Sequence, residues 1–146
     1  MIKKEFKINS VEETKQLAKK ITADFKGAEV LGLIGDLGAG KTIFTQGVAE
    51  ALGITEVVNS PTFVLMKVYN VSSQQRAVSR LVHVDAYRLS NSQELKDIGL
   101  DEYLGRKDTI VVIEWADKVK ELLPKNSMII EFKLGENENQ RVINFH

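Results

Sequence analysis

The stretch Gly35-Asp36-Leu37-Gly38-Ala39-Gly40-Lys41-Thr42 decides the fold of this chain, because it has the pattern G-x-x-x-x-G-K-T. In this pattern the glycines let the backbone curl closely around an anion, and the N–H groups of the loop face phosphates. The lysine reaches the β- and γ-phosphates of a nucleotide, while the threonine hydroxyl binds Mg²⁺. We therefore predict that residues 35–43, including Ile43, bind a nucleotide, with Lys41 taking part in catalysis and Thr42 in metal binding.

The residues on either side of this loop support the prediction. Residues 28–34 form an apolar run typical of a buried strand, and residues 42–52 have the composition of a helix. A strand, a glycine-rich loop and a helix in this order form the context in which the motif is specific. The alternative is a glycine-rich turn that binds nothing, and the context argues against it.

The rest of the chain alternates between strand-like and helix-like patterns. Ser10 and Glu13 form a capping-box pattern, so a helix is expected after Ser10, with Phe25 on its apolar face and Gly27 after its end. Further strands are predicted at residues 4–8, 63–71, 77–84, 109–113, 127–134 and 141–145, and further helices at 91–98 and 116–123. This order predicts an α/β, P-loop NTPase-like single domain over residues 1–146. Its central sheet is expected to be mixed but mostly parallel and flanked by helices, with antiparallel hairpins turning at 72–76 and 135–140.

The composition favours a globular protein that does not grip nucleic acid by itself. Hydrophobic residues make up 43% of the 146 residues, and no apolar run approaches the length of a membrane span. The absence of cysteine excludes disulfides and thiolate metal sites. No targeting signal is visible, so a cytoplasmic location is expected. Because 20 basic residues balance 20 acidic ones, contact with nucleic acid is expected to be indirect.

Two carboxylates follow apolar strand patterns. Glu114 comes directly after residues 109–113, and Asp85 ends the apolar run 81–84. Carboxylates at the carboxyl ends of strands meet the phosphates and Mg²⁺ in folds of this kind. We predict that Glu114 helps to hold the metal, and that Asp85 orients the attacking water or binds the metal through a water. The alternative for each is a solvated acid at a strand end.

The chain resembles a known family through several segments that occur in a fixed order. These are G-D-L-G-A-G-K-T-I-F-T-Q-G from Gly35, S-P-T-F from Ser60, H-V-D-A-Y-R-L from His83, E-L-K-D-I-G-L from Glu94 and I-E-W from Ile113. The set resembles the TsaE (YjeE) family of small bacterial P-loop ATPases, over nearly the whole chain. One departure is Ile43, where the family usually has a second threonine or serine.

The resemblance implies a function in tRNA modification. The family is required for threonylcarbamoyladenosine beside the anticodon, and it works with TsaD, which transfers the threonylcarbamoyl group, and with TsaB, the scaffold of TsaD. It hydrolyses ATP when bound to the TsaB–TsaD dimer and reaches tRNA only indirectly. ATP and Mg²⁺ are therefore the expected cofactors. The absence of an N-K-x-D element independently favours adenine, or weak base discrimination, over strict use of GTP.

Residue by residue, the resemblance implies that Thr42 and Glu114 bind Mg²⁺ and that Asp85 is needed for hydrolysis. Other residues are expected near the nucleotide: Thr14, Trp115, Asp117 and Arg141. Trp115 has an alternative as a core residue, and the segment Ser60 to Phe63 is either a switch-like loop or a rigid turn. His83 is expected to be packed or hydrogen-bonded, and Arg88 to contact a phosphate, a partner or a surface acid.

Two other functions remain open from the sequence. A small-molecule kinase also uses a P-loop, but it needs an acceptor pocket and usually a lid that carries arginines. The chain has only five arginines and no arginine-rich insert. A binding module gated by nucleotide, with incidental hydrolysis, would use the same loop without needing Asp85.

Overall fold

Seven strands form one sheet in the computed structural model of the protein, which describes residues 4–72 and 77–146. The strands are β1 (Lys4–Ile8), β2 (Val30–Gly35), β3 (Met66–Asn70), β4 (Arg80–Asp85), β5 (Thr109–Glu114), β6 (Met128–Leu134) and β7 (Arg141–Phe145). The helices are α1 (Val11–Thr22), α2 (Lys41–Ala51) and α3 (Gln93–Asp97), with 3-10 helices at Leu100–Glu102 and Ala116–Leu122. Across the sheet the strand order is β1-β7-β6-β2-β5-β4-β3.

The four central strands are parallel and the outer pairings are antiparallel. β2 pairs in parallel with β5 and β6, and β4 pairs in parallel with β5. β3 and β4 form one antiparallel hairpin, and β6 and β7 form another, with β1 added to the edge of β7. The predicted fold class, a mixed sheet with antiparallel hairpins, is confirmed. Residues 73–76 of the first predicted turn lie outside the described residues.

Helical segments cover both faces of the sheet. All six residues of β5 are buried, as expected for a parallel strand that is covered on two sides. One face packs against α1 and α2, and the core between them contains the large side chains of Phe44 from α2 and of Phe132 and Tyr69 from the sheet. The other face packs against α3 and the 3-10 helices. No helix within residues 4–72 and 77–146 combines the length and the hydropathy that a membrane crossing requires.

The start of α1 follows the predicted capping box. The hydroxyl of Ser10 accepts a hydrogen bond from the backbone N–H of Glu13 at 3.1 Å, and the Glu13 carboxylate accepts from the N–H of Asn9 at 2.9 Å. The bond to Ser10 satisfies an N–H group of the first helical turn. The bond from Asn9 lies one residue before the N–H that the usual capping box uses. The helix ends at Thr22, so Phe25 packs into the core from beyond the helix rather than from its face.

Two predicted elements differ from the structure. Residues 63–65 belong to a turn rather than to β3, because the N–H of Leu65 donates to the carbonyl of Pro61 at 2.7 Å and Leu65 takes a φ of 68°. Pro61 therefore starts a local turn, which overrides the strand preference of the apolar residues that follow it. The segment predicted as a helix at 116–123 forms 3-10 turns, with non-helical angles at Val119.

α1 and α2 approach each other closely at Gly47. A β-carbon at this position would lie 2.7 Å from the β-carbon of Ala18 and 2.9 Å from the carbonyl oxygen of Lys15. Both distances are shorter than van der Waals contact, so only glycine fits here without a shift of the helices. This contact fixes α2, and with it the loop that precedes α2, against the rest of the domain.

We predict that Gly47→Ala destabilises the protein even though alanine favours a helix. The gain in helix propensity is about 1 kcal/mol, whereas overpacking at this contact is expected to cost about 1–3 kcal/mol. Denaturant-induced unfolding, followed by circular dichroism, measures the balance. A variant with a higher free energy of unfolding than the parent would show that α1 and α2 are not in close contact at this position.

Candidate functional site

The glycine-rich loop joins the end of β2 to the start of α2. A β-carbon at Gly35 would lie 2.2 Å from the carbonyl oxygen of Phe132, so the loop leaves the sheet pressed against β6. Gly40, just before the first residue of α2, has a φ of 108°, a conformation that favours glycine. Gly40 is the N-cap residue of α2, and it has no side chain that could cap the helix. The first N–H groups of this helix therefore have no capping side chain and are oriented as in sites that bind phosphate.

Lys41 lies inside this loop and not in solvent. The residue is 4% exposed, and its Nζ donates hydrogen bonds to the carbonyl oxygens of Gly35 at 2.6 Å and Asp36 at 2.8 Å. The ammonium also lies 4.1 Å from the centre of the Trp115 ring. Burial lowers the pKa of Lys41, while the carboxylates of Glu114 and Asp36 act in the opposite direction. Carbonyl dipoles neutralise a buried charge less completely than an anion does, so a phosphate would improve the surroundings of Lys41.

Glu114 connects the loop helix with the sheet. Its Oε1 accepts a hydrogen bond from the hydroxyl of Thr42 at 2.9 Å, and its Oε2 lies 2.5 Å from Nε2 of His83. The three groups come from β5, α2 and β4, and Glu114 is 2% exposed. His83 is hydrogen-bonded, as predicted. The sequence did not reveal its partner, because that partner depends on the pairing of β4 with β5.

The oxygens of Thr42 and Glu114 suit a Mg²⁺ ion that is held jointly with a nucleotide. Both are hard oxygen donors, and 2.9 Å separates them. Within residues 4–72 and 77–146 there is no cluster of three or more acidic, histidine or cysteine side chains that would hold a metal alone. Mg²⁺ is commonly bound by one or two protein oxygens together with phosphates and water, so the residues present fit this metal with a nucleotide.

Asp85 is buried at the same edge of the sheet and accepts three hydrogen bonds. Its Oδ2 accepts hydrogen bonds from the hydroxyls of Ser60 and Thr62, the latter at 3.0 Å, and its Oδ1 accepts from the N–H of Tyr87 at 2.9 Å. It is 3% exposed, so it is not a solvated acid. Asp85 and Glu114 are direct partners in the β4–β5 register, and this pairing places both acids side by side. The two bonds from Ser60 and Thr62 also tie the segment that holds these residues to the sheet.

A cavity of about 400 Å³ opens between these groups. Its lining contains most of the predicted residues and three that were not predicted to bind nucleotide. These are Ser60 and Thr62, and Tyr87 beside Trp115. Trp115 forms a wall of this cavity, and its ring meets the ring of Tyr87 edge-on at 4.8 Å. The lining residues are Leu37, Gly38, Gly40, Lys41, Thr42, Ile43, Ser60, Thr62, Asp85, Tyr87, Glu114 and Trp115.

The other predicted site residues do not line this cavity. Thr14 and Arg141 line a smaller cavity of about 130 Å³ on the far side of Gly38, and Nε of Arg141 lies 3.3 Å from the carbonyl oxygen of Gly38. Asp117 is exposed and lines neither cavity. The predicted loop residues that line neither cavity are Gly35, Asp36 and Ala39.

Arg88 contacts an aromatic ring and not an acid. Its guanidinium lies 5.0 Å from the centre of the Phe63 ring, which is 87% exposed. The salt bridges of the described residues do not include Arg88. Of its three predicted roles, the surface ion pair is therefore absent from residues 4–72 and 77–146.

The sheet order, the loop after β2 and the acids at the carboxyl ends of β4 and β5 define an α/β protein with the P-loop NTPase-like fold. The family model described as "Threonylcarbamoyl adenosine biosynthesis protein TsaE" matches residues 8–143. The chain belongs to the TsaE family, as the sequence motifs predicted.

Curated relatives and a solved structure agree with this assignment. The tRNA threonylcarbamoyladenosine biosynthesis protein TsaE of Bacillus subtilis is 46% identical over 130 residues, which is 88% of this chain and 77% of that protein. The protein of the same name from Streptomyces coelicolor is 40% identical over 110 residues, which is 74% of this chain and 71% of that one. The crystal structure of Bacillus subtilis YdiB superposes with a TM-score of 0.79 at 38% identity. The superposed region covers 99% of this chain and 84% of the YdiB chain.

We predict that Asp85→Ala destabilises the fold more than Asp85→Asn does. Alanine leaves the N–H of Tyr87 and two hydroxyls without their acceptor, which is expected to cost about 1–3 kcal/mol. Asparagine keeps one acceptor oxygen for Tyr87, and its amide N–H donates to the hydroxyl of Ser60 or Thr62, which rotates to accept. Denaturant unfolding of both variants compares the two losses. Equal losses would show that the hydrogen bonds to Asp85 do not hold the edge of the sheet together.

Proposed function

We propose that this protein is a Mg²⁺-dependent ATPase that serves the formation of threonylcarbamoyladenosine in tRNA, acting on TsaB and TsaD and not on tRNA directly. The observation that carries the ATPase assignment is the hydrogen bond between Thr42 of the loop helix and Glu114 of β5, beside the buried ammonium of Lys41. The role in tRNA modification is carried by family membership and by the names of the relatives.

The loop residues would bind the phosphates. The N–H groups at the start of α2 donate to the phosphate oxygens, and Lys41 exchanges its two carbonyl acceptors for them. Thr42 and Glu114 would hold Mg²⁺, which would neutralise charge on the phosphates. Trp115 closes the cavity beside Lys41 and limits the access of water to the ammonium.

Asp85 is assigned to the attacking water. Its Oδ2 now accepts from the hydroxyls of Ser60 and Thr62, and a water that replaces one of them donates to the same oxygen. This assignment makes the segment Ser60 to Thr62 a switch, because one of its two hydroxyls would have to leave Asp85 before the water could bind there.

Partner proteins are expected to complete the site. Catalysis of phosphoryl transfer depends on positive charge around the transferred group, and an arginine is commonly supplied in trans. Within residues 4–72 and 77–146, none of the arginines lines the main cavity. Arg80 and Arg106 pair with Asp108, and Arg88 lies against Phe63. A slow isolated enzyme that the TsaB–TsaD complex stimulates follows from this arrangement.

A binding module gated by nucleotide is the second candidate function. It is favoured by the three hydrogen bonds that already occupy Asp85, because a carboxylate that only holds a loop in place has no catalytic duty. In that case nucleotide binding would release the segment Ser60 to Thr62 for contact with a partner, and hydrolysis would be incidental.

We predict different defects for two neighbouring loop residues. Lys41→Ala removes a direct phosphate contact, so it weakens ATP binding with and without Mg²⁺. Thr42→Ala acts through the metal, so it mainly removes the gain in affinity that Mg²⁺ provides. Thr45→Ala is the matched control, since Thr45 lies one turn along α2, bonds to a backbone carbonyl and does not line the cavity.

Calorimetric titration of these variants with ATP, with and without Mg²⁺, separates the two defects. If Mg²⁺ still raises the ATP affinity of Thr42→Ala as it does in the parent, Thr42 is not part of the metal site. The same conclusion follows if Thr45→Ala loses this effect of Mg²⁺ to the same extent as Thr42→Ala.

We predict that the isolated protein hydrolyses ATP slowly, that TsaB–TsaD accelerates it, and that Asp85→Asn binds ATP without turnover. Asparagine keeps the size of Asp85 and one acceptor oxygen, but it loses the negative charge that orients a water. Loss of a group that aligns the nucleophile is expected to lower the rate by about 100-fold or more. Single-turnover hydrolysis, measured on a preparation with known stability and ATP affinity, gives the rate.

A cellular test distinguishes the ATPase from the gated binding module. Cells that depend on Asp85→Asn are expected to lose threonylcarbamoyladenosine from their tRNA. Normal modification in those cells, with hydrolysis absent in vitro, would favour the binding module. Hydrolysis by Asp85→Asn at the parent rate would leave Glu114 as the only acid of the site with a catalytic assignment.

A further inference from the structure

His83 is a polar side chain in the middle of an apolar sheet. It is 0% exposed, and its neighbours on the same face of β4 and β5 include Leu81 and Val112. Burying a polar ring among such residues is unfavourable unless its nitrogens are hydrogen-bonded. Within the described residues only Nε2 has a partner, and Nδ1 has none. The burial of this imidazole therefore requires a reason beyond packing.

That reason lies in the partner of Nε2. The Glu114 carboxylate accepts from His83 through Oε2 and from Thr42 through Oε1, so each of its oxygens is directed by a different element. If only one of its oxygens is hydrogen-bonded, a carboxylate can rotate about the terminal torsion of the side chain, whose energy wells are broad. With both bonds in place, Oε1 faces the hydroxyl of Thr42 and the cavity.

We propose that His83 is a positioning residue, which holds the Glu114 carboxylate so that Oε1 and the Thr42 hydroxyl together form the metal-binding edge of the cavity. His83 itself does not line the cavity. The assignment rests on the proposed function and extends it, because it explains how the oxygens that face the cavity are kept in one orientation. Partners of metal-binding carboxylates act in this way in many sites.

The geometry of the ring determines which substitutions keep this function. Nε2 is the far nitrogen of the imidazole, and the amide nitrogen of glutamine reaches a similar distance from the backbone. The amide nitrogen of asparagine ends near the position of Nδ1, which has no partner here. His83→Gln therefore keeps a donor for Glu114. His83→Asn is a polar variant of similar chemistry, but its amide does not reach Glu114. His83→Leu removes the donor while retaining apolar bulk.

The test measures Mg²⁺ binding without turnover. Trp115 is the only tryptophan of the chain and lines the cavity, so its fluorescence reports on the site. Each variant is loaded with a non-hydrolysable ATP analogue and titrated with Mg²⁺. Affinity for the analogue without Mg²⁺ and thermal unfolding are measured on the same preparations.

We expect His83→Asn and His83→Leu to raise the Mg²⁺ midpoint about 10–100-fold, as losses of such partners do elsewhere, and His83→Gln to stay within about threefold of the parent on the same scale. Affinity for the analogue without Mg²⁺ is expected to be the same in all variants, because Lys41 and the loop N–H groups are unchanged. If His83→Leu does not fold, the comparison of Gln with Asn carries the test.

Equal Mg²⁺ midpoints in the parent, His83→Gln and His83→Asn would overturn the positioning function, whatever the changes in thermal stability. The same holds if Gln and Asn are equally impaired, since a purely structural requirement for histidine predicts that result. A parent protein whose analogue binding does not respond to Mg²⁺ would overturn the proposed function, and this inference with it. Intact Mg²⁺ dependence in the parent with no effect of His83→Asn contradicts the inference alone.

Discussion

The parallel pairing of β2, β5 and β4 is the constraint on which the rest of the structure depends. Parallel strands bring their carboxyl ends to one edge of the sheet, so the loop after β2 meets Glu114 at the end of β5 and Asp85 at the end of β4. Thr42 and Glu114 are 72 residues apart in the chain and yet form a hydrogen bond. Without this alignment the glycine-rich loop would not have Asp85 and Glu114 beside it.

The polar groups of the site are buried, and they stabilise one another. Lys41, His83, Asp85 and Glu114 are all less than 5% exposed, in a domain whose sheet is otherwise packed with aliphatic side chains. Each has hydrogen-bonding partners in the loop, in the segment Ser60 to Thr62 or in the sheet. A network of this kind is favourable only when nearly every member is satisfied. Two positions are incomplete. Lys41 donates to carbonyl oxygens and not to an anion, and Nδ1 of His83 has no hydrogen-bond partner among the described residues. Both are therefore informative about function.

Much of the fold and part of the site could be predicted from the sequence. Strand, loop and helix follow from the pattern around Lys41, and the positions of Asp85 and Glu114 follow from the apolar strands that precede them. The turn at residues 63–65 was missed because Pro61 directs the backbone more strongly than the apolar residues after it do. The contact of His83 with Glu114 was missed for a different reason. It depends on the register of two strands, which one sequence does not contain as a local signal.

The most direct test of the account is a crystal structure of the protein with Mg²⁺ and a non-hydrolysable ATP analogue. The account predicts that the phosphates lie against the N–H groups at the start of α2 and that Nζ of Lys41 moves from the carbonyl oxygens of Gly35 and Asp36 to the phosphates. It also predicts that Mg²⁺ is bound through Thr42 and Glu114. An analogue bound elsewhere, or bound in the loop while Lys41 keeps both carbonyl contacts and the metal avoids Thr42 and Glu114, would contradict it.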